Sequence, residues 1–204
     1  MHQVVVGEGI RRPAEQTVGR PGTYTNGVVM ILVSNHLLSL PGFCVPDDAV
    51  VRINMAWVRA EDALAGAIEK CRPHDVFLDY PSGRTKPPVP AWGLDEAVVA
   101  VWKYRPQYFA VSNIESPDGA ADIEQNLPED TVFVPKIETL KGVLCLDSIL
   151  DAIDTTVIML DTEDLFTCCG DPDVFLGAVN NVTQVCANHH VEVLRLYGVI
   201  FSEA

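Results

Sequence analysis

The sequence predicts an α/β fold, a small (β/α)₈ barrel with an incomplete or irregular eighth unit. Three observations carry that prediction. Continuous apolar runs rich in β-branched residues recur along the chain, segments of helical periodicity lie between them, and polar residues sit at the ends of most runs. Runs without alternation suit strands covered on both faces, the condition of parallel strands wrapped by helices. Repeated strand–helix alternation then requires right-handed crossovers, as in a barrel or a doubly wound sheet.

In chain order, a short apolar run, Val4 to Val6, precedes a stretch rich in Gly, Pro, Arg and Thr, so residues 1–27 read as an N-terminal strand or arm. Residues 28–204 are assigned to the barrel domain. Its first strand lies in Val28 to Asn35, and its second in Val50 to Val58, an apolar run broken by Arg52 and Asn54. Arg59 to Cys71 has apolar residues at helical spacing and acids in its first turn, where they complement the helix dipole. Asp75 to Tyr80 is the third strand, and Leu94 to Tyr104 a covering helix. Tyr108 to Ile114 follows, ending in a helix-start signal, Ser116-Pro117-Asp118. Thr131 to Ile137 and Thr156 to Asp161 are strands either side of a helix at Leu140 to Ile153. Val191 to Phe201 is the last run.

Polar residues end several strands: Asn35, Arg52 with Asn54, Asp79, Asn113, Lys136 with Glu138, and Asp161 with Asp164. A doubly wound sheet would concentrate them at one switch point, so the barrel is preferred. Neither GxGxxG after a strand nor GxxxxGK[ST] occurs. The seven runs are one short of a closed barrel. Val4 to Val6 is one source of the eighth strand; closure by a partner chain is the other. A homo-oligomer is therefore expected.

A chain of 204 residues, 48% hydrophobic and without an apolar run near membrane-spanning length, is expected to bury one substantial core and to stay out of membranes. The formal charge of −14, with scattered basic residues, argues against nucleic acid as a partner. A small anionic substrate would need local Arg, Lys or metal to overcome that field. The six cysteines show no CxxC spacing, and the start of the chain lacks a secretory signal, so free thiols and a cytoplasmic location are expected. Asn181-Val182-Thr183 matches a glycosylation acceptor, a pattern short enough to arise by chance.

The stretch VFVPKIETLKGV, Val132 to Val143, is the most informative. Lys136 and Glu138, two apart on a strand, share a face at its end. One unit later come Asp161, Glu163 and Asp164, so parallel pairing would bring acids together on one carboxyl-end rim and could build a metal site. Plainer readings exist for each group. A Lys-x-Glu is commonly a surface ion pair, and Arg52 on an apolar strand could be the buried partner of Asp79. His36 could be a general base or a satisfied histidine, whereas His189, His190 and the Cys168-Cys169 pair read as surface or packing residues.

VVRINMAW, VFLDYPSGRT, VFVPKIETLKGVLCLDSIL and MLDTEDL, in that order, resemble the phosphoenolpyruvate/pyruvate superfamily of TIM barrels. That superfamily contains pyruvate kinase and the HpcH/HpaI aldolase and citrate lyase β-subunit family. The resemblance covers Val28 to Phe201 as separate motif-sized blocks. It implies that Glu138 and Asp164 hold Mg²⁺ or Mn²⁺, that Lys136 and Arg52 are catalytic, and that Arg52, Asn54, Asp79 and Arg84 bind substrate. Met55, Ala56 and Trp57 depart from the kinase's Phe-Ser-His, and Pro81-Ser82-Gly83-Arg84-Thr85 is a shrunken form of its arginine motif.

Lys86 to Trp92 leads straight into a helix where the kinase inserts its lid domain, which points away from a kinase. The resemblance therefore implies a divalent-metal-dependent carbon–carbon lyase or aldolase acting on a pyruvate-type 2-oxo acid through a metal-stabilised enolate. Pyruvate-kinase-like phosphoryl transfer from phosphoenolpyruvate is one alternative. A non-catalytic barrel subunit with a binding or assembly role is the other.

Overall fold

The computed structural model describes residues 30–84 and 86–195. The arm at 1–27 with Val4 to Val6, the start of the first run, Thr85, and the part of the last run beyond Arg195 lie outside the described residues.

Seven strands form one parallel sheet: β1 (Leu32–Ser34), β2 (Val50–Asn54), β3 (Val76–Tyr80), β4 (Tyr108–Val111), β5 (Val132–Ile137), β6 (Val157–Leu160) and β7 (Glu192–Arg195). Their spatial order is their sequence order, β1 through β7, with no reversal. A doubly wound sheet needs such a reversal at its switch point, so the architecture is that of an incomplete barrel. Among the described residues no strand bridges β7 to β1.

The period of two along each strand sorts its side chains. Leu32, Val50, Phe77, Ala110, Val134, Met159 and Leu194, one from each strand, pack together as a single cluster. Residues from both edges of the sheet meet in it, so the sheet is curled around its own inner face. Outward residues face the helices. Val51, Ile53, Leu78, Phe109 and Phe133 pack with Leu64, Ala97, Val101 and Ala120, and Ile137, Ile158, Leu160 and Val193 pack with Leu146, Leu165, Val182 and Cys186. Full burial of one such leucine contributes about 1.5–3 kcal/mol.

Six α-helices cover that outer face: α1 (Glu61–Cys71), α2 (Leu94–Tyr104), α3 (Pro117–Gln125), α4 (Leu140–Ala152), α5 (Thr162–Cys169) and α6 (Pro172–Asn188). Side-chain caps start four of them. Ser116 accepts from Gly119 N, Thr139 from Gly142 N, Asp161 from Asp164 N, and Asp171 from the backbone of Asp173 and Val174. Each satisfies a backbone N–H that the first helical turn leaves without an intrahelical acceptor.

Sequence periodicity located α1, α2 and α4 but assigned no helix to α5 or α6. In α6 the weak helix formers Val, Asn and Thr mask a buried stripe of Ala178, Val182 and Cys186, four residues apart. The strands are also shorter than the apolar runs. Met55–Trp57, at the end of the second run, turns into a 3₁₀ helix capped by Asn54. All six cysteines are free thiols. No described helix is long and apolar enough to cross a membrane.

Candidate metal centre

The inner face is apolar at its floor and charged at its carboxyl end. Phe77 stacks on Tyr108 with ring centroids 6.0 Å apart in the lower layer. Two residues beyond Val50, Phe77, Ala110, Val134 and Met159 of the inner cluster stand Arg52, Asp79, Ser112, Lys136 and Asp161, and Glu138 lies two beyond Lys136. Strand register fixes this, because Asn54 lies opposite Asp79, Asp79 opposite Ala110, and Lys136 opposite Met159.

Asp79 is the hub of the charged layer. Its side chain is 1% exposed and receives Arg52 Nε at 2.8 Å on Oδ2, with Arg52 Nη2 on the same oxygen. Lys136 Nζ lies 3.3 Å from Asp79 Oδ1, 3.0 Å from Glu138 Oε1 and 3.0 Å from Ser112 Oγ. The Lys-x-Glu pair is thus buried, not a surface pair. Burial alone would raise the Asp79 pKa, but Lys136 and Arg52 outweigh it and hold the carboxyl below its ordinary range. Burial likewise opposes the Lys136 charge, and Asp79 and then Glu138 overcome it, so its pKa stands above the ordinary value. The two carboxylates therefore favour the charged form of Lys136.

Glu138 shows the opposite balance. Burial pushes its pKa up and the nearby lysine does not fully compensate, because Lys136 answers first to Asp79. Ser112 Oγ donates to its Oε1 at 3.3 Å and the backbone N–H of Asn113 to its Oε2 at 3.2 Å. Asn113 reaches this position with φ of 58°, a left-handed conformation that Asn tolerates better than most residues. Its side chain is tied to Ser82 O at 2.7 Å, linking the ends of β3 and β4.

Glu138, Asp161 and Asp164 each bring a carboxylate oxygen within 4.8 Å of the others. Glu138 continues β5, Asp161 ends β6, and Asp164 lies in the first turn of α5, where Asp161 caps its N–H at 3.4 Å. Hard carboxylate oxygens suit Mg²⁺ or Mn²⁺, and two oxygens on an ion at about 2.1 Å stand at most about 4.2 Å apart. The spacing and donor chemistry fit such an ion with small side-chain adjustments.

The remaining predicted residues divide. Arg52 reaches the hub, whereas Asn54 accepts from Ala56 N at 2.9 Å and caps its own turn. Arg84 donates to the carbonyls of Lys86, Pro87 and Pro88, so its guanidinium closes its own loop. Lys86 forms an ion pair with Asp164, a contact to which no motif or periodicity points. Asp161, one of the rim acids expected to meet there, joins Glu138 and Asp164 in the cluster, although the resemblance implies only those two as metal ligands. Ser112 carried no signal at all.

No protein-family model matches this sequence, and no curated protein matches it. Solved structures do share its fold. Citrate synthase SbnG superposes with a TM-score of 0.56 at 15% identity, over 70% of this chain and 65% of that one. An HpcH/HpaI aldolase/citrate lyase family protein from Burkholderia cenocepacia J2315 gives 0.59 at 13% identity, over 78% and 72%. CitE from Mycobacterium tuberculosis, solved in complex with magnesium, acetoacetate and coenzyme A, gives 0.55 at 15%, over 78% and 61%. The chain therefore spans about two thirds of the length of these proteins. The likeness is one of fold: these structures share the parallel, barrel-like α/β architecture of this chain.

Proposed function

We propose that this protein is a divalent-metal-dependent carbon–carbon lyase of the aldolase type, acting on a small, anionic, pyruvate-type 2-oxo acid. The observation that carries the reading is the Glu138, Asp161 and Asp164 cluster beside the buried Lys136 and the partly buried Arg52 at the carboxyl end of the barrel interior. Active sites of such barrels lie at that end. The likeness in fold to HpcH/HpaI aldolase/citrate lyase proteins supports the same class.

Glu138 and Asp164, with Asp161, would hold Mg²⁺ or Mn²⁺, and an ion there would supply Lewis-acid polarisation of the substrate carbonyl. Arg52 spends Nε and Nη2 on Asp79, which fixes the plane of its guanidinium and leaves Nη1 available as a preorganised donor to negative charge developing on the substrate oxygen. Losing a donor of this kind typically costs about 10²–10³ in rate. Lys136, charged and locked between Asp79 and Glu138, contributes a fixed positive potential and keeps Glu138 oriented. Ser112 Oγ and the Asn113 N–H hold the two oxygens of that carboxylate from the β4 side.

The test is exchange of the pyruvate methyl protons in D₂O, followed by NMR with and without Mg²⁺. Stimulated exchange in the native protein, lost in Glu138→Gln and in Asp164→Asn with the far-UV spectrum unchanged, is the expected result. Stimulated exchange retained in both variants would sink the proposal.

A further inference from the structure

Among the described residues, three cationic side chains near the barrel mouth are held by partners outside the Asp161–Asp164 edge. Arg52 is held by Asp79, Lys136 by Asp79 and Glu138, and Arg84 by three carbonyls of its own loop. Lys86 differs in two respects. Its side chain is 58% exposed, and its ion-pair partner among the described residues, Asp164, belongs to the acidic cluster. The pair joins the β3–α2 connection to the first turn of α5, 78 residues away.

We propose that Lys86 is a positioning residue that acts through Asp164, as an exchangeable counter-ion that competes with the divalent cation for that carboxylate. The inference rests on the metal-site reading above. One oxygen cannot satisfy an ammonium and an inner-sphere divalent ion equally well, so the two occupancies are thermodynamically linked. Binding of the ion releases Lys86 from that carboxylate. Conversely, the lysine weakens ion binding until it is displaced. Its exposed stem makes the exchange cheap, since surface ion pairs are individually weak. The same charge, freed beside the acidic edge, offsets part of the repulsion that an anionic substrate meets in a chain of formal charge −14.

Mn²⁺ binding to the full chain, followed by calorimetric titration, separates the possibilities. Lys86→Met should bind Mn²⁺ roughly three- to tenfold more tightly than the native protein, from loss of a competing ion pair and of a like charge. Lys86→Arg should bind as the native protein does. A lysine that only stabilised the fold would, when removed, leave Mn²⁺ affinity unchanged or lower it, and that result overturns the proposal. If the native protein binds no Mn²⁺, or Glu138→Gln binds it undiminished, the metal-site reading itself fails and the role of Lys86 falls with it.

Discussion

Lys136 Nζ lies 3.3 Å from Asp79 Oδ1, with both side chains at most 5% exposed, so β3 and β5 are tied through the barrel interior without being neighbours in the sheet. Arg52 of β2 meets the same carboxylate. Asp79 therefore answers two cations, with Glu138 sharing Lys136. Asp79→Asn would leave the partly exposed Arg52 without its anion and the buried Lys136 with Glu138 alone. A buried pair broken on one side costs about 3–5 kcal/mol. Urea unfolding should show that loss, and adding Lys136→Met to Asp79→Asn should recover part of it, since one of the two cations goes. A loss below about 1 kcal/mol for Asp79→Asn would contradict the hub role.

The same carboxyl sets an acid limit on stability. Its folded pKa is depressed below the ordinary 3.8, burial being outweighed by Lys136 and Arg52. As pH falls, the unfolded chain therefore takes up this proton first. The stability it contributes is complete above 3.8 and is lost as pH falls through the folded value. Urea midpoints of the native protein should fall across that window, and those of Asp79→Asn should fall less. Parallel curves for the two proteins would rule out Asp79 as the source.

These two predictions were partly visible in the sequence. Polar residues at the ends of apolar runs marked the carboxyl rim, and period-two spacing put Lys136 and Glu138 on one face. Arg52 with Asp79 could be read as a buried pair, because an arginine in an apolar strand needs an anion. The loops were not legible in the same way. Arg84 looked like a binding residue, yet its fork fits the carbonyls of its own turn. Lys86 looked like linker, yet its flexible stem reaches Asp164. Long side chains on irregular backbone have no periodicity to fix their direction. Only the folded path of the loop decides what they meet.

Burial divides the cysteines by reactivity. Cys71 is pushed up to about 11 and Cys186 to about 12 by desolvation, whereas Cys44 and Cys168 are exposed. The thiolate is the nucleophile, so iodoacetamide at pH 8 should label Cys44 and Cys168 first and leave Cys71 and Cys186 protected until unfolding. Peptide mass spectrometry reads the order. Because both folded values are raised above the ordinary 9.0, their contribution to stability is complete below 9.0 and is lost as pH rises through about 11 and about 12. Early labelling of Cys71 in the native state would contradict the packing of α1 against the sheet.

Gly142 is the residue of the VFVPKIETLKGV stretch whose lack of a side chain matters most. It occupies the first turn of α4, where its N–H donates to Thr139 Oγ1 at 3.1 Å. A Cβ built there would stand 2.8 Å from the carbonyl oxygen of Ile114, a backbone atom that cannot rotate away. Ile114 N in turn donates to Lys136 O at 3.2 Å, which sews the end of β4 to β5 directly beneath the charged layer. Alanine is the better helix former by about 1 kcal/mol, so on propensity alone Gly142→Ala should stabilise α4. The clash decides the sign: overpacking of this kind costs about 1–3 kcal/mol, and relief requires α4 to back away from β4. That movement would pull on Thr139, whose hydroxyl also donates to Glu115 at 2.7 Å, and so on the turn that follows Glu138. Gly142→Ala should therefore lower the urea midpoint and weaken Mn²⁺ binding together, while Gly66→Ala, in open space on α1, should leave the metal affinity unchanged. A stabilised Gly142→Ala protein with native metal affinity would show that the close approach of α4 to β4 does not hold Glu138 in place.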